Sequence, residues 1–383
     1  MKTILVTGGA GYVGSHTVRR LIRSGFKVIV LDNLSFGHKE SLTEGAILET
    51  ADLNTKASIV AILNKYRPEA VIDFAASAVV TDSMNDPQAY LQNNIYNFLN
   101  LLEAMVETKT KFLIKSSTSS TYGEPRRESD FPLKEDYQKH HHFTKSALLE
   151  ATYHGKLTRG EELFQYLIED IQNHLPHDLK LSNCQITELR IPTSVYGLTK
   201  LTDEILMKKF NKKYHLSSIV LRYFNACGAD DAGDIGEDHT PELALIPNVI
   251  WTALGQKDHF DLYGTDFPTH DGTAVRDFIH VNDLADGHIL ALQYLEHNQG
   301  FHIFNLGNGR GYSVREVIET AETIFGDKLN IVGHPRRSGD PSVSYADASK
   351  AMNYLDWKPK YDLSKIIRTA GDWHKSHPKG FAK

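Results

Sequence analysis

Tyr196 and Lys200 stand four apart in the stretch PTSVYGLTK. On a helix that spacing puts a phenol and an ammonium one turn apart on one face. The positive charge favours phenolate and lowers the tyrosine pKa, so the pair can serve as a general base near neutral pH. Spacing alone decides little, because Tyr354/Lys358 and Tyr361/Lys365 repeat it. Context separates the three. SVYGLTK opens a long helical pattern, whereas Tyr354 and Lys358 flank Trp357 just before Pro359, where a helix should end. The two downstream pairs read as structural. A second chemical feature lies at the N-terminus, where GGAGYVG spaces Gly8, Gly11 and Gly14 as G-x-x-G-x-x-G. Glycines permit a tight turn and let backbone approach a pyrophosphate, while the following helix offers unpaired N–H groups.

The elements that must position these residues can be read from hydrophobic pattern. Thr3–Thr7, Lys27–Leu31, Ala70–Phe74 and Phe112–Ile114 read as buried strands, and Ile219–Phe224 as another. Helices fit Tyr12–Ser24, Pro87–Glu107 and Asn282–Leu295. Strands alternating with helices imply an α/β fold with a parallel sheet covered on both faces. Strand, glycine loop, helix and second strand then occur in the order a dinucleotide-binding unit needs. Asp32 directly follows the second strand; a carboxylate there accepts from both adenosine ribose hydroxyls and repels a 2′-phosphate, which favours NAD over NADP. Asp52 follows another short strand and reads either as a contact to the adenine amino group or as a turn residue.

Net charge is −6, with no basic tail or stripe, which argues against nucleic acid or an anionic membrane as partner. No apolar run reaches spanning length. The two cysteines, Cys184 and Cys227, lie far apart, so a reducing compartment and a cytoplasmic location are expected. The triplet His140–His142 reads as a solvated loop rather than a metal site, because no second cluster accompanies it. No metal is expected.

The motifs VTGGAGYVGSH, DNLSFGH, SSTSSTYGEP, SVYGLTK, LRYFNACGA and FNLGNG together resemble the extended short-chain dehydrogenase/reductases, and within them the NAD-dependent epimerase/dehydratase family. The resemblance runs from Thr3 to about Pro378, except between Asp136 and Ile191. It implies a Rossmann-type domain over 1–224, with an unusual insertion at about 137–190, and a smaller UDP-sugar domain over 225–383 partly interleaved with it. It also implies tightly bound NAD, a UDP-hexose substrate and a homodimer that pairs the Tyr196 helix with its neighbour. Cofactor contacts are then implied for Tyr12, Val13, Asn33, Leu53, Phe74, Ala75, Ala76, Asn93, Ser116 and Tyr223, beside the glycine loop, Asp32, Asp52, Tyr196 and Lys200. Thr118 takes the place of the hydroxyl that bridges the sugar O4 and the tyrosine, and Ser120 that of the motif's other hydroxyl. Dehydratases and decarboxylases of this fold carry carboxylates where this chain has Ser119 and Ser120. Simple epimerisation, which needs one reversible base, therefore fits best. On the substrate side the resemblance assigns Asn225, Arg276 and Arg337 to the phosphates, Asp340 to the uridine ribose, Leu245 and Tyr263 to the uracil, and Ser344 to the N2 side of the sugar. Departures are Asp73 in DFAAS, Ala78 and Ala244. An N-acetylhexosamine specificity, a dehydrogenase that releases a keto product, and a nucleotide sensor without catalysis are the alternatives.

Overall fold

The computed structural model describes residues 2–123, 125, 130–137, 169–176, 179–180, 192–337 and 340–381. Seven parallel strands form its central sheet: β1 (Thr3–Thr7), β2 (Lys27–Asp32), β3 (Ile47–Thr50), β4 (Ala70–Asp73), β5 (Phe112–Thr118), β6 (Ser217–Tyr223) and β7 (Phe301–Leu306). Their spatial order is β7-β6-β5-β4-β1-β2-β3. The expected Rossmann-type doubly wound α/β architecture is met. Apolar runs such as TILVT and KVIVL are buried from their second residue onward because helices cover both faces. One core layer joins Leu5, Val71 and Leu113 to Phe98 and Met207, and the other joins Val6, Ile72 and Ile114 to Val18 and Leu292. Strand order reverses between β1 and β4, and such a switch point opens a crevice beyond the carboxyl ends of the strands.

Two elements differ from the sequence reading. Strand β5 runs on to Thr118, in register with β6 up to the pair Thr118↔Tyr223. Lys115–Thr118 look like loop because they are polar, yet all four are buried and find partners inside. The expected single helix over Pro87–Glu107 is instead a turn at Pro87–Tyr90, a π-helical turn at Leu91–Tyr96, and a helix at Asn97–Thr108. Asp86 caps it by accepting from Ala89 N–H at 3.1 Å, with Pro87 at the first position.

In the second half the helix Val281–His297 packs on the central sheet beside β7. A separate cluster is built from Leu245–Ala253, Val314–Phe325 and Leu363–Ser376 around Phe260, Leu262 and Phe278. In the insertion at about 137–190 apolar residues recur at helical spacing over Phe143–Tyr153 and Gly160–Leu175, a pattern that fits either two extra helices near the active-site rim or the dimer helices, or a surface excursion; it lies mostly outside the described residues, as does the histidine triplet. Its described end is helical over 169–174, and Ile171, Leu175 and Leu179 are buried in the main core.

Candidate active site

The site gathers at the carboxyl edge of the sheet. The helix Val195–Tyr214 begins where Ser194 accepts from Gly197 N–H at 3.1 Å, and Tyr196 N–H donates to Ser83 Oγ at 3.1 Å. This start aims Tyr196 at the end of β5, where the Thr118 hydroxyl lies close enough to the phenol to bear on its ionisation. Lys200, one turn on, is buried and donates from Nζ to the Ser116 carbonyl at 3.1 Å; it lies 5.9 Å from the Tyr196 ring centre. Thr118, Tyr196 and Lys200 thus converge, with Ser120 beside Thr118 at 3.3 Å. Tyr223, hydrogen-bonded to Ser116, borders the group. The rival pairs do not: Tyr354 is 61% exposed, and Tyr361 stacks on His280 while donating to Asp231 at 2.5 Å.

The protein's own groups, taken alone, oppose ionisation of the phenol. Burial pushes the Tyr196 phenol up rather than down, despite the Thr118 hydroxyl. Burial, aided by the Lys115 ammonium, presses Lys200 down to about 7. At that value Lys200 carries only part of a charge at neutral pH, so its attraction for phenolate does not outweigh the loss of water. Further positive charge near the phenol is required before it ionises.

The glycine loop fits a dinucleotide. A Cβ on Gly8 would come within 2.7 Å of Ala75 N, and one on Gly14 within 2.3 Å of the Gly8 carbonyl. At Gly11, which caps the helix Tyr12–Arg23 with no side-chain bond, a Cβ would meet only one atom, 3.4 Å away. Gly8 and Gly14 therefore serve loop packing, and Gly11 leaves open backbone at a helix N-terminus. A crevice of about 120 Å³ runs from there, lined by Gly8, Gly11, Asp32, Asn33, Asp52, Leu53, Phe74, Ala75, Ala76 and Asn93. Asp32 accepts from Ala10 N–H at 2.9 Å and Leu34 N–H at 2.8 Å, which fixes its carboxylate at the crevice. Asn33 donates to Asp52 at 2.7 Å, joining the two strand ends. Asn93 donates to Ser77 Oγ at 2.9 Å. Tyr12 faces elsewhere, donating to the Gly228 carbonyl at 2.5 Å, and Val13 packs into the core, so only their backbone could serve a cofactor.

A larger cavity of about 600 Å³ lies against the second half, within the range of small-molecule sites. Asn225, Leu245, Tyr263, Arg276, Arg337 and Asp340 line it, together with Ala78 and Ala244. The Arg337 guanidinium sits 4.0 Å over the Tyr263 ring. Arg276 donates to Asp340 at 3.1 Å, so these two expected ligand contacts hold each other in this structure. Ser344 pairs with Arg276 across adjacent strands, next to the wall rather than in it. His239 lies 3.3 Å from Glu237 and 3.6 Å from Glu242; burial alone would lower its pKa, but the two carboxylates outweigh it and hold the imidazole up to about 10.

Sequence reading missed Ser83, and it missed a set of buried charges at Asp73, Lys115 and Asp203 under Lys200. The available signal was a lysine directly after the apolar run Phe112–Ile114.

Residues 4–155 and 176–307 match the model of the NAD dependent epimerase/dehydratase family. The interruption falls inside the insertion. The UDP-glucose 4-epimerase of Lacticaseibacillus casei is 37% identical over 380 residues, covering 99% of this chain and 98% of that protein. Among solved structures, a UDP-glucose 4-epimerase from Brucella ovis in complex with NAD superposes with a TM-score of 0.80 at 36% identity, over 97% of this chain and 98% of that one. One from Bifidobacterium longum in complex with NAD+ and UDP gives 0.80 at 30% identity, over 99% and 100%.

Proposed function

The chain belongs to the NAD dependent epimerase/dehydratase family, and from that premise we propose that it is a UDP-glucose 4-epimerase, interconverting UDP-galactose and UDP-glucose. NAD is its cofactor. The observation that carries the reading is the meeting of Thr118, Tyr196 and Lys200 at the carboxyl edge of the sheet, in a chain that also forms a crevice edged by Gly11 and Asp32 and a cavity edged by Arg276 and Arg337.

Gly11 and the N–H groups at the start of Tyr12–Arg23 hold the cofactor pyrophosphate, and Asp32 its adenosine ribose. When bound, NAD supplies a reversible hydride acceptor at C4 of the sugar, through which a 4-keto sugar forms and is reduced again. Tyr196 removes the proton from O4 and later returns it. Thr118 links O4 to the phenol and holds the sugar in line. Lys200 binds the nicotinamide ribose and, with the positive charge of the oxidised cofactor, stabilises the phenolate that burial alone disfavours. Arg276 and Arg337 exchange their present partners for the pyrophosphate of the substrate, for which a guanidinium fork is well shaped. Asp340, released by Arg276, takes the uridine ribose. The absence of carboxylates at Ser119 and Ser120 removes the extra proton carrier that elimination would need.

Incubating purified protein with UDP-galactose, without added NAD, should yield UDP-glucose by chromatography. Steady release of NADH, or no conversion, would overturn the reading. Ser344 supports a second reading, in which N-acetylated UDP-hexoses are also substrates: a serine beside Arg276 leaves space that a bulky ring would fill. We further read the enzyme as a cytoplasmic homodimer through the Tyr196 helix and its neighbour, which sedimentation velocity would test. Among the described residues no helix is long and apolar enough to cross a membrane.

A further inference from the structure

Beneath Lys200 lies a set of buried charges that the reaction, as derived, does not use. The side chains of Asp73, Lys115 and Asp203 are 0% exposed and come from β4, β5 and the Tyr196 helix. Lys115 Nζ is 2.6 Å from Asp73 Oδ2 and 3.3 Å from Asp203 Oδ2, and it packs 4.0 Å over the Phe98 ring. The other oxygen of Asp73 accepts from the Thr7 hydroxyl at 2.5 Å and Ala75 N–H at 3.0 Å. Among the described residues neither oxygen of Asp203 finds a well-formed hydrogen bond. Asp203 follows Lys200 by three positions, so the two share a helix face. An apolar set of the same volume would serve stability as well or better, so stability does not account for these charges.

We propose that Asp73, Lys115 and Asp203 are positioning residues, which fix the charge and the place of Lys200 and act on the reaction only through it. The inference rests on the epimerase reading above. The charged and titratable groups around Lys200 are Tyr196, Asp203 and Glu204 on its own helix, Lys115 on β5, Asp73 on β4, and Arg222 and Tyr223 on β6. Glu204 is taken by Arg222 at 2.9 and 2.5 Å and by Ser117 at 2.6 Å. Asp73 is taken by Lys115 through the shorter contact. Asp203, held by Lys115 only through the longer contact and three positions on from Lys200, is the carboxylate we assign as counter-ion to Lys200, while Lys115 repels it. Burial presses Lys200 down and pushes Asp203 up, so each favours its neutral form and the charges around them decide the balance.

The two opposing charges give a signature that packing alone does not. Lys115→Met removes the repulsion, so Lys200 keeps its proton to higher pH. Asp203→Asn removes the counter-ion, so Lys200 loses its proton at lower pH. A neighbouring charge moves a pKa by about 1–3 units, so the alkaline limb of kcat on UDP-galactose should move by about that much in opposite directions. Lys115→Arg keeps the charge and should leave the limb in place. A titration of ¹³Cε-lysine-labelled holoenzyme by NMR, with the Lys200 signal identified by its loss in Lys200→Met, should show the same opposite shifts without reference to turnover. If Lys115→Met does not fold, Asp73→Asn/Lys115→Met removes the paired charges together and should give a smaller upward shift. Limbs and NMR titrations that stay fixed, or that move the same way in Lys115→Met and Asp203→Asn, overturn the proposal. Absence of UDP-galactose turnover in the parent protein would instead sink the epimerase reading, and the NMR titration would still report on the network.

Discussion

At the scale of single residues, we assign the chemistry to the phenol of Tyr196 and the selectivity to the side chain at 344. Tyr196→Phe keeps the ring that fills the site and removes only the proton carrier. Its kcat should fall by ~10²–10⁴-fold, the usual worth of a general base, while bound NAD and the melting temperature stay near the parent values. Loss of cofactor in that variant would show that the hydroxyl serves binding rather than proton transfer. Ser344→Tyr adds a ring on a strand paired with Arg276. Turnover of UDP-galactose should persist and that of UDP-N-acetylgalactosamine should collapse, since a buried clash excludes the larger sugar. Equal loss on both substrates would place residue 344 outside the sugar pocket. Gly11, Asp32, Tyr196 and Lys200 were legible from local pattern and context, as a glycine loop after a strand, an acid after the next strand, and a tyrosine and lysine opening a long helix, whereas residue 344 was reached only through the family resemblance. Lys115 was not legible, because its meaning depends on Asp73 and Asp203, which only the folded sheet and helix bring to it.

At the scale of elements, alternation of strand and helix gave the sheet, while two features escaped it. The polar end of β5 hid a strand, because buried polar residues satisfied across a sheet carry no hydrophobic period. The insertion hid its attachment. Sequence pattern left open whether it is a surface excursion or packs near the rim or the dimer helices. Its described end is anchored: Ile171 and Leu175 are each 2% exposed in the main core, and Tyr96 donates to Asp170 at 2.6 Å while its ring packs on His174 at 4.7 Å. Lys209 on the Tyr196 helix donates to the Lys180 carbonyl at 2.8 Å. Truncating Leu175 to Ala should then cost about 2–5 kcal/mol, as for other core leucines. Urea unfolding measures it, and a cost below about 0.5 kcal/mol, typical of surface positions, would mean the segment is a passive excursion.

At the scale of the whole molecule, acid response is a contest between two sets of buried groups. Burial holds His16, His288 and His374 neutral, each pressed down to about 4. Burial also pushes Asp277 and Asp283 up to about 6. A base depressed in the fold contributes stability that is full above its unfolded pKa, near 6.5, and is lost as pH falls through about 4. A carboxyl raised in the fold acts in the opposite sense, since it gains relative to the unfolded chain as it protonates between about 6 and its unfolded value. The total slope mixes both, so one group must be read by difference. His288 suits this, because its Nε2 has no hydrogen-bond partner among the described residues and its ring packs 4.7 Å from Phe74. His288→Phe keeps an aromatic ring there and removes the titration. The unfolding free energy of the variant, minus that of the parent, should therefore rise on going from pH 6.5 toward 4. The slope should approach about 1.4 kcal/mol per pH unit, the value for one proton bound by the unfolded chain alone. Denaturant midpoints at half-unit steps of pH give the difference directly. A difference that stays constant over this window would mean that His288 protonates in the fold as readily as in water, and that its burial costs the protein nothing in acid.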